Sequence, residues 1–538
     1  MAQRKTHLVT AVLIAGSVAG LTACGGGGGG SSTSSNNTSS AASFQQDLVD
    51  NGQIQFTAAD PQLDSSTFAG TASAVTAAMS YGYSNFTTAQ QAFFDDTGYR
   101  GAVDPNASAG SAWWNGWTLH MTGADTTGAD GSLKDQDINP LKDNLDGSGT
   151  QIAPAGNGTC PAGSQTGTVD YYGTTTMPVC EISVAGLDAD GDLDTAAGNN
   201  GGSVTLDNGH VYVLNGLANF GNGGVSGRTQ TSAQNYTLTI EKGTMIYGAE
   251  GQKAGLVITR GSDIQVNGTQ DMPVMMGAAP YSGSGLASAD AEDFSGRGDW
   301  GGLIIDGFAK VNAADQNGEV VSEAAPDGVS RYFGGNDDTD SSGNLSYLIV
   351  AESGTTYRPD EEIQGITWEG VGSGTTADHL QIIGSEDDGT EFFGGKPRIK
   401  YILVNGQDDD GLDQDLGFSG FIQYGLVRTG TKNGNRSIES DGNGDNFDAK
   451  PFSQPILMNL TLLGNHGKTS VDSTGALHRE GYRGHIYRSI YTDDTVAGGA
   501  YRNGCLDVDD VVTQELQYRD VIFNCSPDNL HAADDTAK

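Results

Sequence analysis

The chain has 538 residues, 67 acidic against 27 basic side chains, and a net charge of −40. That balance rules out nucleic-acid binding, which needs cationic side chains to displace counterions, and charge-driven docking on anionic lipid. With 81 glycines, 14 prolines and short recurring Val/Ile/Leu/Tyr runs, the composition points to many brief strands joined by turns rather than to disorder.

Arg4 and Lys5 precede a mostly apolar run over residues 8–21, too short to span a bilayer comfortably. The run ends in Leu21-Thr22-Ala23-Cys24, and a Gly/Ser/Asn tract with a flexible coil's composition follows. Leu21-Thr22-Ala23-Cys24 resembles the lipobox of bacterial lipoproteins. The resemblance implies cleavage before Cys24 and acylation of its thiol and new N-terminus. Gly25, in place of Asp, implies sorting to the outer membrane. Several acyl chains hold a protein on a membrane, whereas one does so only marginally. The expected organisation is a signal peptide over 1–23, lipidated Cys24 with a flexible linker over 24–42, a partly helical cap region over 43–160, and one solenoid over 161–538.

In the N-terminal region, Ala-rich residues 67–80 and TTAQQAFFDD over 87–96 predict short helices, the second with Thr87 or Thr88 as N-cap. Residues 97–118 then bring Trp113, Trp114 and Trp117 close together. They suit either a stacking platform for a sugar or other apolar ligand, or the cover that a solenoid's terminal coil needs. Beyond Cys24 there are four cysteines, Cys160, Cys180, Cys505 and Cys525, each neighbouring pair 20 residues apart. An even number in an exported chain predicts disulfides, and the spacing favours local pairing among the three connectivities.

LDADGDLD, over 187–194, sets carboxylates at Asp188, Asp190, Asp192 and Asp194 around a turn at Gly191. Alternate oxygens converging on a turn suit calcium, which takes six to eight oxygen ligands. The Gly falls one place early for an EF-hand and no Glu stands at the twelfth position, so a solvated Asp/Gly turn is the competing reading. DGNGDNFD over 441–448 has a similar spacing.

From the middle of the chain onward one short strand recurs: SYLIV, HLQII, KYILV, QYGLV, NLTLL, IYRSI and QYRDV. Anchored on Tyr347, Leu380, Tyr401, Tyr424, Asn459, Tyr487 and Tyr518, the steps run from 21 to 35 residues. A constant strand with variable connectors is a solenoid signature. The shortest steps leave room for three short strands and three turns, one rung of a parallel β-helix. Upstream, alternating strands broken by Gly turns occupy 236–248, 254–269 and 272–277. The order TIEKGTMI, GLVITRGSDIQVNGT, GDWGGLIIDG, YFGGNDD, EFFGG and DDDGLDQDLGFSG resembles a family of bacterial exported lipoproteins and surface proteins. That resemblance implies an all-β, right-handed parallel β-helix and specifies no reaction. An element like Tyr99-Arg100-Gly101-Ala102 with Trp113 and Trp117 stands near the C-terminus of some members; its N-terminal place here is a departure.

A second acidic group follows the aligned strands at similar offsets: Glu352, Glu386, Asp387, Asp388, Asp408, Asp409 and Asp410, then Asp413, Asp415, Glu439 and Asp441. In a β-helix such positions stack along one edge about 4.8 Å apart. Stacked carboxylates repel unless a cation or shared protons intervene. The edge is therefore either a calcium site or a paired-carboxylate active site. β-Helices host pectate lyases, which use calcium and a basic residue such as Arg428 or Arg436 here, and polygalacturonases, whose motif order this chain does not follow. His478 and His485 read as surface residues. The leading expectation is a non-enzymatic, outer-membrane-anchored binding module stiffened by calcium, its partner a surface polymer or an outer-membrane protein. The alternatives are a carbohydrate-active lyase or hydrolase and an accessory to uptake of hydrophobic or glycan nutrients.

Overall fold

The computed structural model describes residues 83–104, 112–114, 117–118, 160–161, 164–171, 175–183, 202–233, 236–279, 296–324, 330–358, 361–430, 434–464, 473–493, 500–509 and 515–525. Cys24, the four carboxylates Asp188, Asp190, Asp192 and Asp194, and the helix expected over 67–80 lie outside them.

Short strands coil into a parallel β-helix. Nine of them, Leu217–Phe220, Gly255–Ile258, Leu303–Asp306, Ile366–Glu369, Thr390–Phe393, Leu412–Asp415, Ile438–Ser440, Ala476–His478 and Leu506–Val508, stack in chain order as one all-parallel sheet. Glycine sets the entry into this sheet. Gly389 and Gly411 stand one residue before Thr390 and Leu412, and a Cβ there would meet Val404 and Val427 Cγ1 at 2.2 and 2.4 Å. The chain must turn where an inward valine already fills the corner, and only hydrogen fits.

The other two sides of the coil are linked by long strands that bend over a corner, such as Gly343–Ala351, Thr376–Ile383, Arg398–Asn405, Phe421–Arg428 and Ile456–Gly464. Residues 343–346 pair with Asp263–Asn267, whereas residues 348–350 pair with a different strand, Val274–Ala279. The residue at the bend is left-handed on seven successive rungs: Tyr347, His379, Tyr401, Tyr424, Asn459, Arg488 and Asp520 have φ between 46 and 63°. Non-glycine residues seldom accept that conformation. Here it recurs because each bend repeats the one below, and the side chains stack. The rings of Tyr347, His379, Tyr401 and Tyr424 lie 4.2, 4.5 and 4.7 Å apart and nearly parallel. This register corrects three of the repeat anchors: His379, Arg488 and Asp520 occupy the corner, not Leu380, Tyr487 and Tyr518. Apolar periodicity marked the strands but not the one residue at which they bend.

Inside, alternate strand residues form the core, including Leu380, Ile382, Ile402, Val404 and Val427, and an aromatic column of Trp368, Phe392 and Phe418. The cysteines pair as Cys160–Cys180 and Cys505–Cys525. The first bridge holds Thr175–Ser183, which pairs antiparallel with Gln165–Tyr171 and parallel with Val211–Asn215. The second ties the strand Leu506–Val508 to the end of Ile522–Asn524 in the last described coil. His478, expected at the surface, is fully buried: it stacks on Tyr482 at 4.7 Å and bonds Tyr518, and burial pushes its pKa down to about 3.

The described residues of the N-terminal region, 83–104, 112–114 and 117–118, lie along a corner of the solenoid. Helix Thr88–Phe93, N-capped by Thr87 in a capping box with Gln90, leads into a strap that runs along the corner. Trp117 packs edge-on against Tyr347 and His379, Trp113 against Tyr401, and Arg100 reaches Asp520 on the last described rung. Trp114 and Trp117 are buried and Trp113 is half-buried. With Trp114 and Trp117 enclosed, the three tryptophans do not form an open platform for a ligand.

Candidate functional site

The outward side chains of the nine-stranded sheet form a carboxylate ladder. In-register pairing stacks Thr367 on Glu391, Glu391 on Asp413 and Asp413 on Glu439. The turns entering these strands add a second row. Asp388 accepts the backbone N–H of Asp410 at 2.9 Å, and Asp410 accepts that of Arg436 at 2.6 Å. Beside it, Gln364 donates to Asp387 at 3.2 Å and Asn435 donates to Asp409 at 2.9 Å.

Two neighbouring structures flank these carboxylates, bringing Glu323 and Glu362 near Asp387. One is the excursion between Leu303–Asp306 and Gly343–Ala351, which carries the hairpin Val320–Val321 with Tyr332–Phe333. Its buried Arg331 binds Asp306 at 2.5 Å and Glu369 at 3.1 Å, and Arg260 binds Glu319 at 3.0 Å, so the excursion is pinned to the sheet. The other is the hairpin Thr356–Arg358 with Glu361–Glu362.

Among the described residues, carboxylate oxygens converge twice. Asp387, Asp388 and Asp409 form one group, and Asp388, Glu391 and Asp413 the other, with all ligand atoms of a group within 4.8 Å. Oxygens bound to calcium at 2.3–2.6 Å lie at most about 5 Å apart across the ion, so either group fits around one such cation. The electrostatics agree. Burial, and then the neighbouring carboxylates, push Asp387, Asp388, Glu391, Asp410, Asp413 and Asp415 well above the ordinary carboxyl range. Glu323, on the excursion, is raised to about 8 by burial and by Asp387 and Glu362. Among the described residues no Lys, Arg or His pairs with Asp388, Glu391 or Asp413. The row ends differently. Although burial alone would raise Glu439, Arg436 at 2.6 Å and Arg479 at 2.5 Å hold it at about 2.

Of the acidic residues expected here, Asp409, Asp410, Asp413 and Asp415 come together with Asp387 and Asp388. Glu386 and Asp408 do not. Glu386 lies against Gly298, and Asp408 pairs with Arg297 at 3.2 Å, so both turn toward residues 296–300. Glu352 is buried elsewhere, accepting N–H bonds from Ala278 and Gly296. In the turn after Ile438–Ser440, Asp441 pairs with Arg479 and Asp448 with Arg483, leaving no convergence of oxygens. Glu391 and Glu323 were missed from sequence. Glu391 had a signal: it stands two residues after Gly389, as Asp413 does after Gly411. Glu323 had none, because only folding brings the excursion over the sheet.

A parallel β-helix with a buried row of carboxylates along one sheet is the class that the fold defines. The chain belongs to the pectate-lyase-like β-helix domain family, whose pattern matches residues 198–537. No curated protein and no solved structure matches it.

Proposed function

We propose that the protein is an exported binding module, anchored to the outer membrane through acylated Cys24, whose β-helix carries a calcium-loaded acidic cleft. The convergence of Asp388, Glu391 and Asp413 within 4.8 Å, with no cationic side chain paired to them among the described residues, carries this reading. A fold that places like charges on adjacent rungs is stable at neutral pH only if protons or a cation share them. Oxygen-only ligation at this spacing suits calcium better than softer metals. A bound cation with open positions can also accept oxygens of an acidic surface polymer, which the bare cleft would repel. Two measurements test the parts separately. Cys24→Ser should move the protein from the membrane to the soluble fraction, and an unchanged distribution would remove the anchor. Retention of the soluble domain on an acidic polysaccharide should require calcium and disappear with Asp388→Asn.

A carbohydrate-active reading is favoured by one further observation. Glu323, raised to about 8, and Glu439, held at about 2, are carboxyls of opposite protonation at the same sheet, the polarisation that acid–base catalysis uses. Chain shortening of a polysaccharide that is lost with both Glu323→Gln and Glu439→Gln would replace the binding reading.

A further inference from the structure

The strap crosses the β-helix as a peptide crosses a receptor. The solenoid reads its main chain. Gln423 accepts from Asp95 N at 2.9 Å and donates to Asp95 O at 3.0 Å. Asn459 donates to Tyr99 O at 3.1 Å and Gly101 O at 3.2 Å, and Thr461 accepts from Ala102 N at 2.9 Å. The backbone oxygen of Arg488 accepts from Gly101 N at 2.8 Å. Two side chains add selectivity. Phe94 is buried among Ile456, Met458 and Tyr487. Arg100 is wholly buried, its Nε 2.6 Å from Asp520, which also faces Arg488 at 3.3 Å.

The strands that form the groove pair with one another without the strap. Gln423, Asn459 and Thr461 sit on strands whose ladders are satisfied rung to rung, Phe421–Arg428 on Ile456–Gly464 and that strand on its successors. The strap contributes no strand to the 17-stranded sheet or the nine-stranded one. The side-chain hydrogen bonds just named join residues 328 to 420 positions apart, so the strap's place depends on recognition rather than on local folding. Main-chain reading supplies affinity for an extended segment, and the buried Arg–Asp pair supplies identity.

We propose that this corner groove is a peptide-binding site, filled in cis by the strap from Phe94 to Ala102, that accepts the same segment from a second copy of the chain. The partner is fixed by chemistry: an aromatic side chain six positions before an arginine, followed by a small-residue pair whose backbone lies open to Asn459 and Thr461. The strap joins the solenoid through residues 119–159, long enough at ~3.5 Å per residue to reach a neighbour.

The test uses the full chain with a specific protease sequence placed within residues 119–159 and cut once after folding. The N-terminal fragment should stay bound through gel filtration, exchange with an isotopically labelled copy, and be displaced by a synthetic peptide of residues 83–118. A peptide carrying Arg100→Ala should need at least tenfold higher concentration, since it forfeits a buried charge-assisted hydrogen bond to Asp520, which keeps Arg488. In the uncut chain, Arg100→Glu should open the groove, so that this variant binds the wild-type peptide and the wild-type chain does not. A fragment that never exchanges, an Arg100→Ala peptide that competes as well as wild type, or an Arg100→Glu chain that binds no peptide would overturn the proposal. Loss of the solenoid's circular dichroism in the cut chain or in the Arg100→Glu chain would count equally against it, because a receptor outlasts the loss of its ligand.

Discussion

Replacing Asp413 by Asn tests the cleft with one nearly isosteric change. Asp413 stacks between Glu391 and Glu439, and its oxygens lie within 4.8 Å of those of Asp388 and Glu391. Two unit charges at that distance repel by about 3.5 kcal/mol at an effective dielectric constant near 20. Sharing protons lowers the cost actually borne, so about 1–3 kcal/mol is the expected relief. In chelator, Asp413→Asn should therefore stabilise the protein by that amount. In calcium at a hundred times its dissociation constant, the wild type gains about 2.7 kcal/mol by mass action, and the variant should forfeit most of this gain. Urea unfolding followed by circular dichroism, with and without chelator, reads both arms. Relative to wild type, the variant must lose most of that ~2.7 kcal/mol between chelator and calcium. The same shift in both conditions, or destabilisation in chelator, would refute the reasoning, because neither repulsion nor ligation would then govern the site.

Three further outcomes follow from the same structure. Without divalent cations, stability should fall as pH rises from about 4.5 to about 8: Glu480 at about 7, Glu323 at about 8 and the raised aspartates keep protons in the folded state that the unfolded chain releases. Glu439, held at about 2, acts in the opposite sense and only below its ordinary value of 4.5, so urea midpoints that rise with pH across the whole range would contradict the assignment. The Cys505→Ser, Cys525→Ser double mutant should fold and lose about 3 kcal/mol, the loop-closure contribution of a 20-residue separation; labelling of all four cysteines in the native protein would show that the bridges are absent. Arg331→Met should cost about 3–5 kcal/mol by leaving Asp306 and Glu369 buried without their cation, and a loss below 1 kcal/mol would mean that the excursion is not pinned as described.

The strands were legible because each rung repeats an apolar pattern, and the turns were legible because glycine must stand where an inward Val404 or Val427 fills the corner. The bend was not, because its residues share a backbone conformation and not a side-chain type: Tyr347, His379, Asn459 and Asp520 have little in common as letters. In the cleft, Asp409, Asp410 and Asp413 could be placed from their offset behind one strand. Asp387 and Asp388, on the preceding rung, followed with a step of 22 residues, whereas Glu391, the same step before Asp413, was missed. Glu386 and Asp408 shared that offset and still faced away, since a one-residue difference in a tight turn decides which side of the corner a carboxylate takes. The strap was out of reach of any local pattern. Arg100 and Asp520 are 420 positions apart, and nothing near either residue announces the other.

Isothermal titration of the folded, calcium-free protein with calcium bears most directly on the acidic cleft. Saturable binding should appear in the wild type and be lost or weakened at least tenfold in Asp388→Asn, the residue common to both converging groups. No binding by the wild type, or undiminished binding by Asp388→Asn, would contradict a cation site at this position.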